Sequence, residues 1–309
     1  MPLVSVYMAA WNRERFIAEA IESVLGQDFE DLELIIVDDG SIDATRQIIE
    51  RYAKQDPRIR VIFHERNLGM SKSWNDSIDA AKGKFIANID SDDVWVPNKL
   101  TKQLAVLERD EDLIVWSEGE MIDHAGRSIG KSFSELYGKV SQKKSGALWQ
   151  ELLWSNYLNH STVFYKKQNL GAVRYDEGTI ALPDFKFFLE LARYYQFCFI
   201  AEPLVKIRIH GDNTLMGSGP KALKRQRIGP KEYCSIVENA MRQYGDEITR
   251  QRRAVIYDHM GSLYYSTGEK KKGLRFFLRA ITCDPLEKRN FRYLRLLFKR
   301  MLRPVSSRV

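Results

Sequence analysis

Three carboxylates stand within four residues at the end of a short apolar run. Phe85-Ile86-Ala87-Asn88-Ile89 gives way to Asp90-Ser91-Asp92-Asp93. The pattern predicts a buried strand that delivers acids to its C-terminal end, the edge at which open parallel sheets bind ligands. Carboxylates this close repel one another unless a cation or hydrogen-bond donors hold them. Hard oxygen donors suit Mg²⁺ or Mn²⁺, ions that carboxylates commonly share with substrate phosphates. Taken alone, the acidic cluster reads equally well as a solvated turn before a helix, so its meaning depends on what surrounds it.

The elements before it repeat one arrangement. Apolar runs at 3–8, 34–37 and 59–63 predict buried strands, and each is followed by polar residues: Asn12 and Arg13, then Asp38-Asp39-Gly40-Ser41, then Asn67-Leu68-Gly69. Helical apolar spacing covers 14–25, 43–55 and 71–81, with Gly26 a natural stop for the first. Strand–helix alternation with short links implies right-handed crossovers and a mostly parallel sheet. All the polar clusters then fall on one sheet edge, where a nucleotide site of an α/β domain belongs. The first turn has no Gly-x-Gly-x-x-Gly and the chain has no Gly-x-x-x-x-Gly-Lys-Ser/Thr, which argues against a dinucleotide site and a P-loop.

Composition sets the outer bounds. A chain of 309 residues can bury a large core. Three cysteines without ligand spacing point to a reducing, cytoplasmic setting with neither a disulfide framework nor a zinc site. No run approaches the ~18 apolar residues of a membrane span, and no signal peptide is expected. Charge is unevenly placed: residues 221–309 hold 22 Lys/Arg against 8 Asp/Glu, a net +14, and the first 220 carry −7. The Gly217-Ser218-Gly219-Pro220 stretch reads as the loop between these parts. Further helices are expected at 97–108, 148–153, 221–244 and 246–266, and strands at 113–116, 161–165, 197–200 and 205–209, with 118–146 irregular.

The ordered set Val4-Ser5-Val6, Asn12-Arg13, Val37-Asp38-Asp39-Gly40-Ser41, Asn67-Leu68-Gly69, Asn75, Ala81-Lys82-Gly83 and Asp90-Ser91-Asp92-Asp93 resembles the family 2 glycosyltransferases over roughly residues 3–215. Met8-Ala9-Ala10-Trp11 departs from the Pro-Thr-Tyr common before the Asn in that family. The resemblance implies an α/β fold of the GT-A type with a mostly parallel central sheet. It implies an enzyme that transfers sugar from a nucleotide-diphosphate donor, of the UDP or dTDP type, with inversion at the anomeric carbon. Donor contacts are then expected from Ala9, Asn12, Arg13, Lys72, Asp90 and Ser91, with Asp39, flanked by Asp38, on the nucleoside base. Asp92 becomes the ligand of Mn²⁺ or Mg²⁺, supported by His210 in Arg208-Ile209-His210-Gly211-Asp212-Asn213, and Asp93 serves structure. Asp184, in Leu182-Pro183-Asp184-Phe185, takes the place of the general base, with Pro183 where the family carries Glu. Pro and an acid both suit a first helical turn.

The resemblance divides the chain into a transferase domain at 1–216, with its donor half at about 1–110 and acceptor half at about 111–216, and a basic helical extension at 221–309. In the extension, Tyr257, Met260, Gly261, Tyr264, Gly273, Phe277, Ala280 and Pro285 follow the spacing of one tetratricopeptide-like helix pair. A last basic amphipathic helix is expected at 287–302, suited to lie on an anionic membrane surface. The expected partners are a nucleotide-sugar donor and a glycan or lipid-linked acceptor in cell-envelope polysaccharide synthesis, reached from the cytoplasmic face of the membrane. No motif for nucleic acid accompanies the basic segment, so none is expected as a partner. The rival reading is a membrane- or protein-binding adapter whose transferase-like domain is idle.

Overall fold

The computed structural model describes residues 1–136, 138, 142, 144–211 and 220–285. The helix expected at 287–302 and the residues Asp212 and Asn213 lie outside the described residues. By contact density the chain divides into compact units at 1–225 and 226–309.

The first unit begins with β1 (Val4–Ala10), α1 (Ile17–Leu25), β2 (Leu32–Asp38), α2 (Thr45–Gln55), β3 (Ile59–Phe63), α3 (Met70–Ala80) and β4 (Phe85–Asn88). These four strands are parallel, in the order β3-β2-β1-β4. Alternation along β1 decides which side chain meets which layer. Val4, Val6, Met8 and Ala10 join a core with Ile17, Ala20, Ile21 and Val24 of α1. Ser5 and Tyr7 point to the opposite face. There the Ser5 hydroxyl donates to Glu33 at 2.6 Å and Tyr7 meets a second tyrosine, Tyr175, at 2.8 Å.

The chain continues through β5 (Val94–Trp95), α4 (Lys99–Leu107), β6 (Ile114–Ile122), β7 (Ser128–Ser132), the short α5 (Phe133–Leu136) and α6 (Trp149–Leu152), β8 (Phe164–Lys166), α7 (Pro183–Leu191) and β9 (Phe197–Arg208). All nine described strands form one sheet, ordered β3-β2-β1-β4-β8-β6-β9-β5 with β7 on β6. Beyond β4 the sheet turns mixed: β8 is antiparallel to β4 and β6, while β6 and β9 run parallel.

Three expectations change here. The strand expected at 113–116 runs on to Ile122 and pairs with β7, so the segment read as irregular holds a hairpin. Its Ser117-Glu118-Gly119-Glu120 carries no apolar run, and pairing with β9 supplies what composition does not signal. The strands expected at 197–200 and 205–209 are one, β9, interrupted by a register shift near Pro203 that accommodates the missing N–H. The strand expected at 161–165 starts later, after a 3₁₀ turn at His160–Thr162.

The second unit is helical. The boundary falls within α8 (Pro220–Tyr244), which is followed by α9 (Arg250–Ser266) and α10 (Lys270–Cys283). The helix expected from 246 begins later because Thr249 caps it, its hydroxyl accepting the Arg252 N–H at 3.3 Å. The α9 and α10 helices pack as an antiparallel pair with Gly261 against Gly273, where a Cβ on Gly273 would stand 2.8 Å from the Gly261 carbonyl oxygen. Among the described residues no helix is long and apolar enough to cross a membrane.

Candidate active site

The C-terminal ends of β1, β2 and β4 carry the expected polar groups, and local geometry sorts them. Asn12 adopts a left-handed backbone with φ 52°, a conformation Asn tolerates better than most residues. It bridges two strand ends: its N–H donates to Ser41 Oγ at 3.0 Å and its Oδ1 accepts the Ile42 N–H at 3.0 Å. Arg13 is pinned by its N–H to Thr45 Oγ1, which leaves the guanidinium Nε 3.6 Å from Asp92 Oδ2. Ala9 lies partly exposed near the end of β1.

Asp39 does not present a free carboxylate. Oδ1 accepts the Leu68 N–H at 2.8 Å and meets His64 Nδ1 at 2.9 Å, while Oδ2 accepts the Gly69 N–H at 2.9 Å. The acid therefore builds the Asn67-Leu68-Gly69 turn. Asp38 is the contrasting case. Its Oδ1 accepts the Ser41 N–H at 3.2 Å, but Oδ2 is buried without a partner. Buried acceptors rarely go unpaired, and Asp38 is wholly enclosed at the end of β2. Asp39 thus has both carboxylate oxygens engaged and Asp38 only one. Lys72 pairs with Asp76, which also takes His64 Nε2 at 3.0 Å, so its ammonium belongs to the same supporting network.

The three acids after β4 have separate surroundings. Asp93 is fully engaged: it accepts the Ser161 hydroxyl at 2.6 Å and the Arg208 N–H at 3.0 Å. Burial, then the charges of Asp92 and Asp90, push its carboxyl well above the ordinary aspartate range. Ser91 is buried between its acidic neighbours. Asp92 Oδ2 lies 2.8 Å from His210 Nε2. Burial opposes its charge, but the His210 hydrogen bond and the Arg13 guanidinium outweigh that and hold its carboxyl below the usual range. Asp90 is the most open of the three, with its side chain 35% exposed. Arg208 is spent on the scaffold: its Nε donates to the Asp92 carbonyl at 2.9 Å, its far end pairs with Glu19 and its guanidinium lies over Phe16.

Opposite them stands α7. Pro183 opens the helix and Asp184 follows in its first turn. Burial pushes the Asp184 carboxyl up; Asp90 adds to this and His160 counters it, so the three groups share one electrostatic neighbourhood. Asn156 Nδ2 approaches Asp184 Oδ2 at 3.4 Å. Sequence reasoning missed His160, Tyr175, Asn88 and His64. His160 Nδ1 lies 2.7 Å from Asn88 Nδ2 and 3.2 Å from Asp90 Oδ1, and its Nε2 lies 2.6 Å from the Tyr175 hydroxyl. The available signal was the polar Asn159-His160-Ser161-Thr162 set in an apolar segment, all but Asn159 buried.

The donor set fits a divalent cation. Asp92 offers a hard oxygen and His210 an imidazole nitrogen 2.8 Å from it, ligand types that Mn²⁺ and Mg²⁺ accept. Among the described residues no group of three or more His, Cys, Asp or Glu gathers as a closed cage.

A parallel set of strands with acids at its ends, continued by a mixed set, is the architecture of a GT-A fold. The profile of "Glycosyl transferase family 2" matches residues 5–169. An uncharacterized glycosyltransferase of Methanocaldococcus jannaschii is 34% identical over 233 residues, covering 74% of this chain and 76% of that protein. The putative teichuronic acid biosynthesis glycosyltransferase TuaG of Bacillus subtilis is 44% identical over 103 residues, 33% of this chain and 41% of its own. Among solved structures, S. aureus TarS 1–349 in complex with UDP-GlcNAc superposes with a TM-score of 0.59 at 18% identity, covering 97% of this chain and 92% of that one. The mannosyltransferase PcManGT of Pyrobaculum calidifontis, bound to GDP-Man and Mn²⁺, superposes with a TM-score of 0.52 at 14% identity, covering 93% and 88%. The chain belongs to glycosyltransferase family 2 and is a glycosyltransferase.

Proposed function

We propose that the protein transfers a sugar, with inversion, from a nucleotide-diphosphate donor of the UDP or dTDP type to a hydroxyl of a glycan or lipid-linked acceptor in cell-envelope polysaccharide synthesis. The observation that supports this reading is the contrast between two aspartates: Asp92, 2.8 Å from His210 and 3.6 Å from Arg13, is held below the usual range, and Asp184, buried at the start of α7 within the influence of Asp90, is pushed above it. The envelope context comes from relatives such as TuaG, and the use of Mn²⁺ or Mg²⁺ from the Asp92–His210 pair.

Asp39, with Asp38 beside it, lies at the nucleoside base, and Asp90 holds the ribose and donor. Asn12 and Arg13, with Ala9, Ser91 and the Lys72 network, shape the donor pocket. Asp92 and His210 hold the divalent ion, which when bound neutralises charge on the leaving diphosphate. Asp184 takes the proton of the acceptor hydroxyl as its oxygen forms a bond to the anomeric carbon; the bond from that carbon to the phosphate oxygen breaks on the opposite face, and the nucleoside diphosphate departs. The basic extension at 221–309 brings the enzyme to an anionic membrane surface, its net +14 matching the charge of such lipids.

The test is to offer purified protein UDP, dTDP and GDP sugars with Mn²⁺ and a mixed acceptor library, measuring nucleotide release and the anomeric configuration of the product by NMR. An inverted glycoside from wild type, lost in Asp184→Asn, supports the reading. Retention of configuration, or full transfer by both Asp184→Asn and Asp92→Ala, overturns it.

A further inference from the structure

Asp90 is the exposed acid of the cluster, yet its carboxylate is steered from beneath by two fully enclosed side chains. Asn88 is 2% exposed and His160 4%. The Asn88 amide donates to Asp90 Oδ1 at 3.1 Å and lies 2.7 Å from His160 Nδ1, closing a triangle in which Nδ1 also stands 3.2 Å from that oxygen. The other ring nitrogen, Nε2, lies 2.6 Å from the Tyr175 hydroxyl. That hydroxyl in turn shares a hydrogen bond with the Tyr7 hydroxyl at 2.8 Å. The imidazole therefore has one nitrogen toward Asp90 and the other toward a buried tyrosine pair.

The remaining surroundings are aromatic. Trp74 lies 4.3 Å from the ring centroid, Tyr175 5.6 Å and Phe188 5.8 Å. Packing alone would be served there by Phe or Leu, without the cost of burying a polar ring. The Tyr175 end is braced in turn. Asn75 clamps its backbone, Nδ2 donating to the Tyr175 carbonyl and Oδ1 accepting its N–H, both at 2.9 Å, and Phe187 stacks on its ring at 4.0 Å. A chain of buried contacts thus runs from α3 and β1 to a single carboxylate oxygen at the mouth of the site. Sites that must hold a ligand in one geometry need such support, because an unsupported exposed carboxylate samples several rotamers.

We propose that His160 is a positioning residue for donor binding, acting through Asn88 to fix the Asp90 carboxylate. The inference rests on the reading above, in which Asp90 contacts the donor. The two ring nitrogens allow a discriminating test, because an Asn side chain overlays the Nδ1 side of histidine and a Gln side chain the Nε2 side. His160→Asn keeps the link to Asn88 and Asp90; His160→Gln keeps only the link to Tyr175.

Calorimetric titration of UDP and dTDP with Mn²⁺ into wild type, His160→Asn, His160→Gln, Tyr175→Phe and Asp90→Asn gives affinity, and thermal unfolding gives stability. The expected result is a dissociation constant for the binding nucleotide raised about tenfold in His160→Gln and Asp90→Asn but within about threefold of wild type in His160→Asn and Tyr175→Phe. Both His160 variants are expected to lose similar thermal stability. Equal affinities in the Asn and Gln variants, or affinities that follow melting temperature, overturn the positioning role while Asp90→Asn still shows the donor contact. If either His160 variant fails to fold, Asn88→Ser replaces the pair, and wild-type affinity in it overturns the proposal. Wild-type affinity in Asp90→Asn overturns the donor reading of Asp90, and the inference with it.

Discussion

Asp92 and Asp184 are the same residue type, and their surroundings drive them apart. Asp184 has a raised carboxyl, chiefly from burial, so the folded chain holds that proton more tightly than the unfolded chain. Ionising it at neutral pH therefore costs stability, a cost relieved as pH falls. Asp184→Asn is accordingly expected to reduce transfer by about 10²–10⁴-fold with no loss of melting temperature, checked by turnover and calorimetry on one preparation. The pH–rate profile of wild type should lose activity on its acid side at a pH above the ordinary aspartate value of about 3.9, and that limb should vanish in Asp184→Asn. Asp92 titrates the other way and remains charged throughout this range. At this scale the sequence singled out Asp92 and His210, which the fold sets 2.8 Å apart. It did not separate Asp38 from Asp39, because two adjacent acids become distinguishable only once the Asn67–Gly69 turn folds onto one of them.

Two connections show how elements hold these residues. Gly40 has φ 68°, and a Cβ there would lie 2.5 Å from the Arg66 carbonyl carbon. Gly40→Ala strains the backbone and displaces the turn that Asp39 builds, so it is expected to weaken nucleotide binding at least about tenfold by titration. Glu33 ties three elements: it accepts Ser5 Oγ of β1, Arg60 Nη1 of β3 at 2.9 Å and the Lys82 N–H before β4 at 2.7 Å. Burial opposes its charge, but these donors outweigh it and hold its carboxyl below the usual range. Its contribution to stability is therefore present above the ordinary glutamate value of about 4.3 and is lost as pH falls through and below it. Glu33→Ala should cost about 1–3 kcal/mol in urea denaturation at pH 7, with the difference from wild type shrinking in acid. The parallel elements were legible because each is a continuous apolar run or a helical stripe. The β6–β7 hairpin was not, since Ser128-Ile129-Gly130-Lys131-Ser132 is largely exposed and owes its conformation to its neighbour.

For the molecule as a whole, a ligand that binds only the folded state must stabilise it. Mn²⁺ with the correct nucleoside diphosphate at 100 times its dissociation constant should add about 2.7 kcal/mol, read as a rise in melting temperature that chelation reverses. The helical unit answers to a different constraint. Gly261 and Gly273 let α9 and α10 approach so closely that a Cβ on Gly261 would sit 2.6 Å from the Phe277 ring. Gly273→Val is expected to separate the two helices, lowering helical ellipticity by circular dichroism.

The sequence by itself determined the class of the protein. The order of strands, the acids at their ends and the Pro183–Asp184 helix start are local patterns, each set by residue type and spacing. Tertiary structure decided the partners and burial of each acid. His160 and Tyr175 lie 72 and 87 residues after Asn88 along the chain, and meet it only when β8 docks antiparallel to β4. The physical reason is that hydrogen bonding and burial, which distinguish one carboxylate from the next, depend on neighbours in space, and periodicity along a chain records only neighbours in sequence.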